Sequence, residues 1–334
     1  MRAAVFHAHG PTSNIRVEDF PEPEVGPNDC KLRVKAVSLN GFEPMIIGKT
    51  TALKTPLPMI PGGDVAGEIV AMGEAVDREK WQLGDRVTIY PMVAGEGMTG
   101  ESRIGGCSEF VRIPSDHMVR IPDGVSDVDA STAAIAYATA LRMLVTRGQV
   151  KAGESVLVLG ASGGVGTACV QLAVAAGCEV IACASADWKL ERLKALGAHH
   201  VVNTATQDLR EFVLDTYGKP RMGAGGGVDV VVNYIGGDTW LPCLKLIHPG
   251  GRMLTCGATA GYATDNDVRY IWTYELNILG SNGWTMEDQA TMLSMIDDGR
   301  ISPVVHGVRE LEQTAASIQD LIDRSVFGKL VIAP

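Results

Sequence analysis

Glycines stand at positions 160, 163, 164 and 166, between the β-branched run Val156-Leu-Val-Leu159 and the uncharged stretch Thr167-Ala-Cys-Val-Gln-Leu-Ala-Val-Ala-Ala176. A second apolar run, Glu179-Val-Ile-Ala-Cys183, follows Gly177 at once. Strand, tight turn, helix and strand within about 30 residues make the unit that takes a dinucleotide. Ser162, Gly163, Gly164, Val165 and Gly166 would carry backbone N–H groups up to a pyrophosphate. The helix that begins there offers it unpaired donors and a positive dipole end. No residue from Ser155 to Cys178 is charged, which is long enough for a membrane span of about 20 residues. The glycines break that run into a short strand and a helix, so it reads as the buried core of a domain.

The selectivity of such a site is set at the end of the second strand. An NAD site places a carboxylate there, about 20 residues after the glycine turn, to hold the ribose 2′-hydroxyl. This chain has Cys183-Ala184-Ser185 instead. A carboxylate would repel a 2′-phosphate by about 1 to 4 kcal/mol at 4 Å. Its absence, the Ser185 hydroxyl and the cations Lys189 and Arg192 favour NADP(H). Asp187 reads as a first-turn helix residue with Ser185 as N-cap. Further along, Cys256-Gly257 at a strand end and Ser281-Asn282 in a turn should meet the nicotinamide carboxamide through backbone groups.

The elements that must position these residues divide the chain. At 334 residues it exceeds what one core usually supports. A formal charge of −10 excludes a basic face for nucleic acid or an anionic membrane. The N-terminus reads as a strand rather than a signal peptide. Seven cysteines, an odd number in apolar surroundings, point to reduced thiols in the cytoplasm. Residues 1 to about 120 are rich in strands and turns, with strands expected at Ala3–Phe6, Lys31–Ser38, Val65–Met72, Arg86–Tyr90 and Phe110–Ile113. From about 130 to 255 strands alternate with helices, the pattern of a parallel sheet covered on both faces. Strands are expected at 155–160, 179–183, 199–202, 228–233 and 251–256. Helices are expected at 129–146, 165–176, 187–196, 206–216 and 238–247. The tail holds an apolar run at Leu276–Gly280, helices at Met286–Asp298 and Glu310–Arg324, and a last strand at Gly328–Ile332.

Six segments together resemble one family, the medium-chain dehydrogenase/reductase superfamily. They are Pro61-Gly-Gly-Asp-Val-Ala-Gly-Glu-Ile-Val70, Gly84-Asp-Arg-Val87, Gly105-Gly-Cys-Ser-Glu-Phe110, Ala161-Ser-Gly-Gly-Val-Gly166, Leu196-Gly-Ala198 and His248-Pro-Gly-Gly-Arg252. The resemblance implies an α/β protein with a GroES-like distorted β-barrel catalytic domain and a doubly wound Rossmann domain. The expected boundaries are 1–123 for the first part of the barrel and 124–270 for the Rossmann domain. Residues 271–334 would supply an edge strand and the return to the catalytic domain. It also implies a homodimer, because relatives pair the strand matching Leu276–Gly280 across a two-fold axis.

Zinc members of that family need a cysteine, a Pro-Gly-His-Glu segment and a third ligand; an open fourth position makes the metal a Lewis acid. Here Asn40 holds the cysteine position, Pro61-Gly62-Gly63-Asp64 replaces the second segment, and Ile135-Ala-Tyr-Ala-Thr139 has neither Cys nor His. The loop from Val93 to Ile104 lacks the four cysteines of a structural zinc lobe. Cys107 reads as a small packing residue. No Tyr-x-x-x-Lys dyad is present either. Hydride addition to a double bond conjugated with a carbonyl needs only one or two donors for the enolate oxygen. The expected activity is therefore NADPH-dependent, metal-independent reduction of an activated C=C bond or a quinone, with a small molecule as the one partner. Asn40, matched by an asparagine in zinc-free members, and Tyr90 are the candidate catalytic donors; a packed barrel aromatic is the alternative for Tyr90. Thr139 matches a threonine that lies against the nicotinamide; otherwise it is a helix hydroxyl bonded to its own backbone. In NADP-binding members Ser185 and Lys189 match residues of the phosphate pocket, whereas Thr204 replaces their common tyrosine. Alcohol or aldehyde interconversion, and an NADPH-binding protein without catalysis, share the same cofactor fingerprint and remain open alternatives.

Overall fold

A computed structural model describes residues 1–50 and 54–334. The chain folds into two compact units, Met1–Ala136 with Thr285–Pro334, and Tyr137–Trp284.

The first unit opens with β1 (Arg2–Phe6), paired antiparallel with β2 (Ile15–Asp19). The long strand β3 (Asp29–Ser38) buries Cys30, Leu32, Val34 and Ala36, an alternation that sends one face to the core. β4 (Asp64–Met72) runs antiparallel to it, with Ser38 opposite Asp64. β5 (Arg86–Ile89) follows, and a small ribbon forms from β6 (Met92–Val93) and β7 (Gly97–Met98). β8 (Phe110–Pro114) pairs with β3 and β9 (Met118–Arg120) with β5. The short helix Glu43–Ile47 fills the loop between β3 and β4.

The second unit is the expected parallel sheet. Its strands are β10 (Ser155–Val158), β11 (Glu179–Ala184), β12 (His200–Asn203), β13 (Val228–Val232), β14 (Ile247–Thr255) and β15 (Asn277–Gly280). They lie in the order β12-β11-β10-β13-β14-β15, all parallel. This is the doubly wound dinucleotide-binding order, which reverses at β10. Helices Gly164–Ala175, Asp187–Ala195 and Leu209–Tyr217 follow the first three strands. The uncharged run 155–178 is thus β10, a turn and a twelve-residue helix. Among the described residues one helix, Asp127–Arg147, is long and apolar enough to cross a membrane, and 72% of its most apolar window is buried within the protein.

The chain then returns to the first unit with the helix Met286–Asp297, β16 (Val305–Glu310), the helix Thr314–Ile322 and β17 (Lys329–Ala333). These complete a seven-stranded sheet in the order β16-β17-β3-β4-β5-β9, with β8 on β3.

Both junctions fall later than residues 123 and 270. The segment Asp127–Thr132 packs on β3 and β4, and Ile135 N–H donates to Asp64 at 2.8 Å, which holds the start of the long helix in the first unit. β15 is the sixth strand of the parallel sheet, so the second unit runs on through Trp284. The expected helix 129–146 departs from α-geometry: Ala133–Ala138 and Arg142–Arg147 are π-turns on either side of Thr139–Leu141. Sequence periodicity does not separate a π-turn from an α-turn. β2, β9, β16 and the helices Glu43–Ile47 and Val268–Thr273 escape the sequence reading because they are short or lack an apolar repeat.

Candidate active site

In the second unit the glycine turn is shaped by backbone contacts. Leu159 N–H donates to Val232 and Ala161 N–H to Cys183, so the end of β10 stays stitched to both neighbouring strands. Gly160 turns with φ +61°, and its carbonyl accepts from the buried Tyr234 hydroxyl at 2.7 Å. A Cβ on Gly166 would stand 2.3 Å from that same carbonyl oxygen, so only glycine lets the helix come this close to the strand. Gly163 is the N-cap, with no side chain capping the helix, and the first turn holds no acidic residue. The first internal bond is Thr167 N–H to Gly163, so the N–H groups of Gly164, Val165 and Gly166 have no helical acceptor. Ser162, Gly163, Gly164 and Val165 are partly or fully exposed at this end. The turn therefore fits the pyrophosphate of a dinucleotide.

The residues expected at the two ends of such a molecule lie elsewhere in this unit. Ser281 N–H donates to Thr255 at 2.8 Å and ties the ends of β14 and β15 together. Ser281 Oγ is buried and has no hydrogen-bond partner among the described residues, an orphan that a carboxamide would satisfy. Cys256 and Asn282 adjoin this spot, and Thr255 Oγ1 donates to the Gly257 carbonyl at 3.0 Å. Burial pushes the Cys256 thiol up to about 12, so it is a neutral group. Thr139 is 7% exposed and opens the short α-turn Thr139–Leu141.

At the end of β11, Ser185 is exposed, and the N-cap of the following helix is Ala186 rather than Ser185. That corrects the capping expectation: the strand runs on to Ala184, so the chain enters the helix one residue later. Asp187 does lie in the first turn, and its carboxylate accepts from Asn203 Nδ2 at 2.6 Å. Lys189 is 6% exposed, with its ammonium 5.3 Å from the centre of the Trp188 ring. Trp284 is buried, as a packing aromatic would be.

The first unit holds a buried polar cluster where β3, β4 and β17 meet. Val331 lies opposite Ser38, a register that carries Lys329 toward Asn40. Lys329 is 2% exposed, and its ammonium donates to Asn40 Oδ1 and lies 3.4 Å from Asp64 Oδ2. Asn40 Nδ2 donates to Asp64 Oδ2 at 2.9 Å, and Asp64 Oδ1 accepts from Ile135 N–H. Asn40 N–H donates to Glu43 Oε2 at 2.7 Å from the first turn of the short helix. Burial pushes the Glu43 carboxyl up to about 8, against the pull of Lys329, so it is protonated at neutral pH. Burial raises Asp64 as well and lowers Lys329, and each opposes the other's shift. Paired in this way, each offsets part of the other's cost of burial inside the core.

Gly63 is crowded. An added Cβ would stand 2.8 Å from the Thr99 carbonyl and 3.0 Å from Ile135 Cδ1, which leaves no room for an imidazole. Burial drives the Cys107 thiol well above its ordinary range, with Glu43 adding to the effect, which fits a packing residue. No three His, Cys, Asp or Glu side chains group at metal-binding distance among the described residues. Tyr90 follows β5, its N–H bonded to the His117 carbonyl and its ring 6.1 Å from the His117 ring. Gln289, buried on the returning helix, donates to the Ile89 carbonyl at 3.0 Å and anchors the end of that strand. Lys329 went unread in the sequence as a site residue, and Glu43 stands where the family more commonly has an Asp, its hydrogen-bond role left open by the sequence. One sign was present: Lys329 is a lone cation in an otherwise apolar strand, Leu330-Val-Ile-Ala.

In comparison with known proteins, different family models match the two parts of the chain. Residues 26–123 match the family model described as alcohol dehydrogenase GroES-like domain, and 164–298 that described as zinc-binding dehydrogenase. The quinone oxidoreductase of Mus musculus is 30% identical across 99% of this chain and 97% of its own length. The crotonyl-CoA reductase of Streptomyces avermitilis is 28% identical across 97% of this chain and 83% of its own. A solved structure described as an NAD-dependent alcohol dehydrogenase superposes with a TM-score of 0.91 at 32% identity, each chain covered completely.

Proposed function

Because the chain belongs to the medium-chain dehydrogenase/reductase superfamily, in its quinone and enone reductase-like branch, we propose that it is an NADPH-dependent, metal-independent reductase of activated C=C bonds or quinones. One observation carries this reading: where a zinc member needs a thiolate and an imidazole, this chain has an amide held by Lys329 and a glycine too crowded to be replaced. Such a pair supplies hydrogen-bond donors, not a Lewis acid. The quinone oxidoreductase and crotonyl-CoA reductase relatives carry names of the same acceptor class.

The nicotinamide, when bound, supplies the hydride. The protein must hold the acceptor, exclude water and stabilise the oxygen on which charge collects. One well-placed donor to such an oxygen contributes about 3 kcal/mol. Asn40, Tyr90 and Thr139 are the groups proposed to bind and orient at the acceptor and nicotinamide. NADPH is favoured because the exposed Ser185 directly follows β11 and the nearest carboxylate in the chain, Asp187, is engaged by Asn203. β15 has β14 on one side and an open edge on the other, and we place a second copy of the chain on that edge.

The test is a panel of 2-enones, 2-enoyl thioesters, quinones, aldehydes and alcohols, followed by nicotinamide absorbance with NADPH and NADH in turn, alongside metal analysis of the pure protein. Turnover of the electron-poor alkenes or quinones with NADPH, without stoichiometric zinc, is the expected result. The likeness to an NAD-dependent alcohol dehydrogenase favours a second reading. Alcohol oxidation with NAD+ and one zinc per chain would replace the first reading by it.

A further inference from the structure

Asn40 can act as a donor only if its amide faces the right way, and a planar amide has two orientations of nearly equal shape. The surrounding charges choose between them. One end of the amide meets the Lys329 ammonium and the other the Asp64 carboxylate. With the oxygen toward Lys329, both contacts join a donor to an acceptor. Turned over, NH2 would face an ammonium and the carbonyl oxygen a carboxylate, two repulsive contacts in a site shielded from water. Lys329 is fully within the core and comes from the far end of the chain. In the chosen orientation one amide hydrogen goes to Asp64 at 2.9 Å. The other has only the Ser38 carbonyl at 3.4 Å, at the weak limit of a hydrogen bond.

From this arrangement, and resting on the reductase reading above, we infer that Lys329 is a positioning residue for the reaction. Its ammonium sets the Asn40 amide so that the second, loosely held N–H is presented to the acceptor's developing oxyanion. Lys329 itself touches neither substrate nor cofactor. Asp64 is its counterpart, and the N–H of Asn40 on Glu43 fixes the backbone from which the amide projects. No bond forms or breaks at Lys329, and its charge is a fixed part of the site.

Removing Lys329 alone leaves Asp64 buried without its cation, so the test uses the double variant Asp64→Asn/Lys329→Met, which deletes both charges together. The expected variant is folded by circular dichroism and binds NADPH with the wild-type Kd. Its kcat on the best acceptor falls about a hundredfold while KM changes little, the size expected for a misplaced donor. A kcat within about threefold of wild type overturns the inference. A second readout is independent of turnover: the side-chain amide protons of Asn40, assigned by their disappearance in Asn40→Asp. In the wild type they should be two separated NMR signals, one exchanging slowly with solvent, and both should exchange fast in the double variant. Equal, fast exchange in the wild type overturns the inference even if no acceptor is reduced. An inactive wild type with one protected amide proton sinks the reductase reading and keeps the role of Lys329 as orienter of the amide.

Discussion

The glycine turn of the second unit and the Asn40 cluster of the first are built in opposite ways. The turn works with backbone. Its donors are main-chain N–H groups of Gly164 to Gly166, its shape comes from missing side chains, and every part lies within a few residues of sequence. The cluster works with side chains drawn from residues 40, 43, 64 and 329. A helix end needs only local order to present its dipole. A buried ammonium and carboxylate need three strands in register before either is paired. The first site is robust to side-chain change but not to an added Cβ; the second tolerates no unpaired charge.

That contrast can be broken most strongly at Lys329. Lys329→Met should destabilise the protein by about 3–5 kcal/mol in denaturant titration, because Asp64 loses its buried partner. Adding Asp64→Asn should restore most of that loss. If the single variant is as stable as wild type, the pair is not a charged unit.

A related effect belongs to Glu43. Its folded-state carboxyl titrates at about 8, above the ordinary 4.5, so the folded protein holds a proton that the unfolded chain has released. That contribution is fully present below pH 4.5 and fades as pH rises toward 8, by at most about 1.4 kcal/mol per pH unit. Glu43→Gln should flatten the stability curve over that window and make the variant the more stable protein above pH 8. Parallel curves for the two proteins would refute the buried, protonated state.

For the backbone site, Gly166→Ala should raise the NADPH Kd about a hundredfold, close to 3 kcal/mol, since the Cβ meets a main-chain carbonyl that cannot step aside. Fluorescence titration of the cofactor measures it. Unchanged affinity would mean that the turn does not carry the pyrophosphate. The smallest effect is expected at the exposed Ser185, where Ser185→Asp should weaken NADPH by about 1 kcal/mol while sparing NADH. Equal losses for both cofactors would remove Ser185 from the 2′-phosphate.

Much of the second unit was legible beforehand. Its strands are β-branched apolar runs, its helices follow them, and the glycines between have few other uses, so β10 to β15 fall within a few residues of expectation. The π-turns around Thr139 were not legible, because one inserted residue per turn leaves no trace in composition. In the first unit the longer strands were readable, and β16 and β9 were not. Nothing in the sequence around Glu43 marks it for the core, yet the short helix carries it inward, where it is fully buried.

Residue type and order alone determined the parallel sheet and the glycine turn at its first strand, since each rests on neighbours in the chain. Folding decided which way the Asn40 amide faces and which carboxyl keeps its proton. The first depends on an ammonium almost three hundred residues away, brought close only by strand pairing; the second depends on burial, which raises Glu43 against that ammonium's pull.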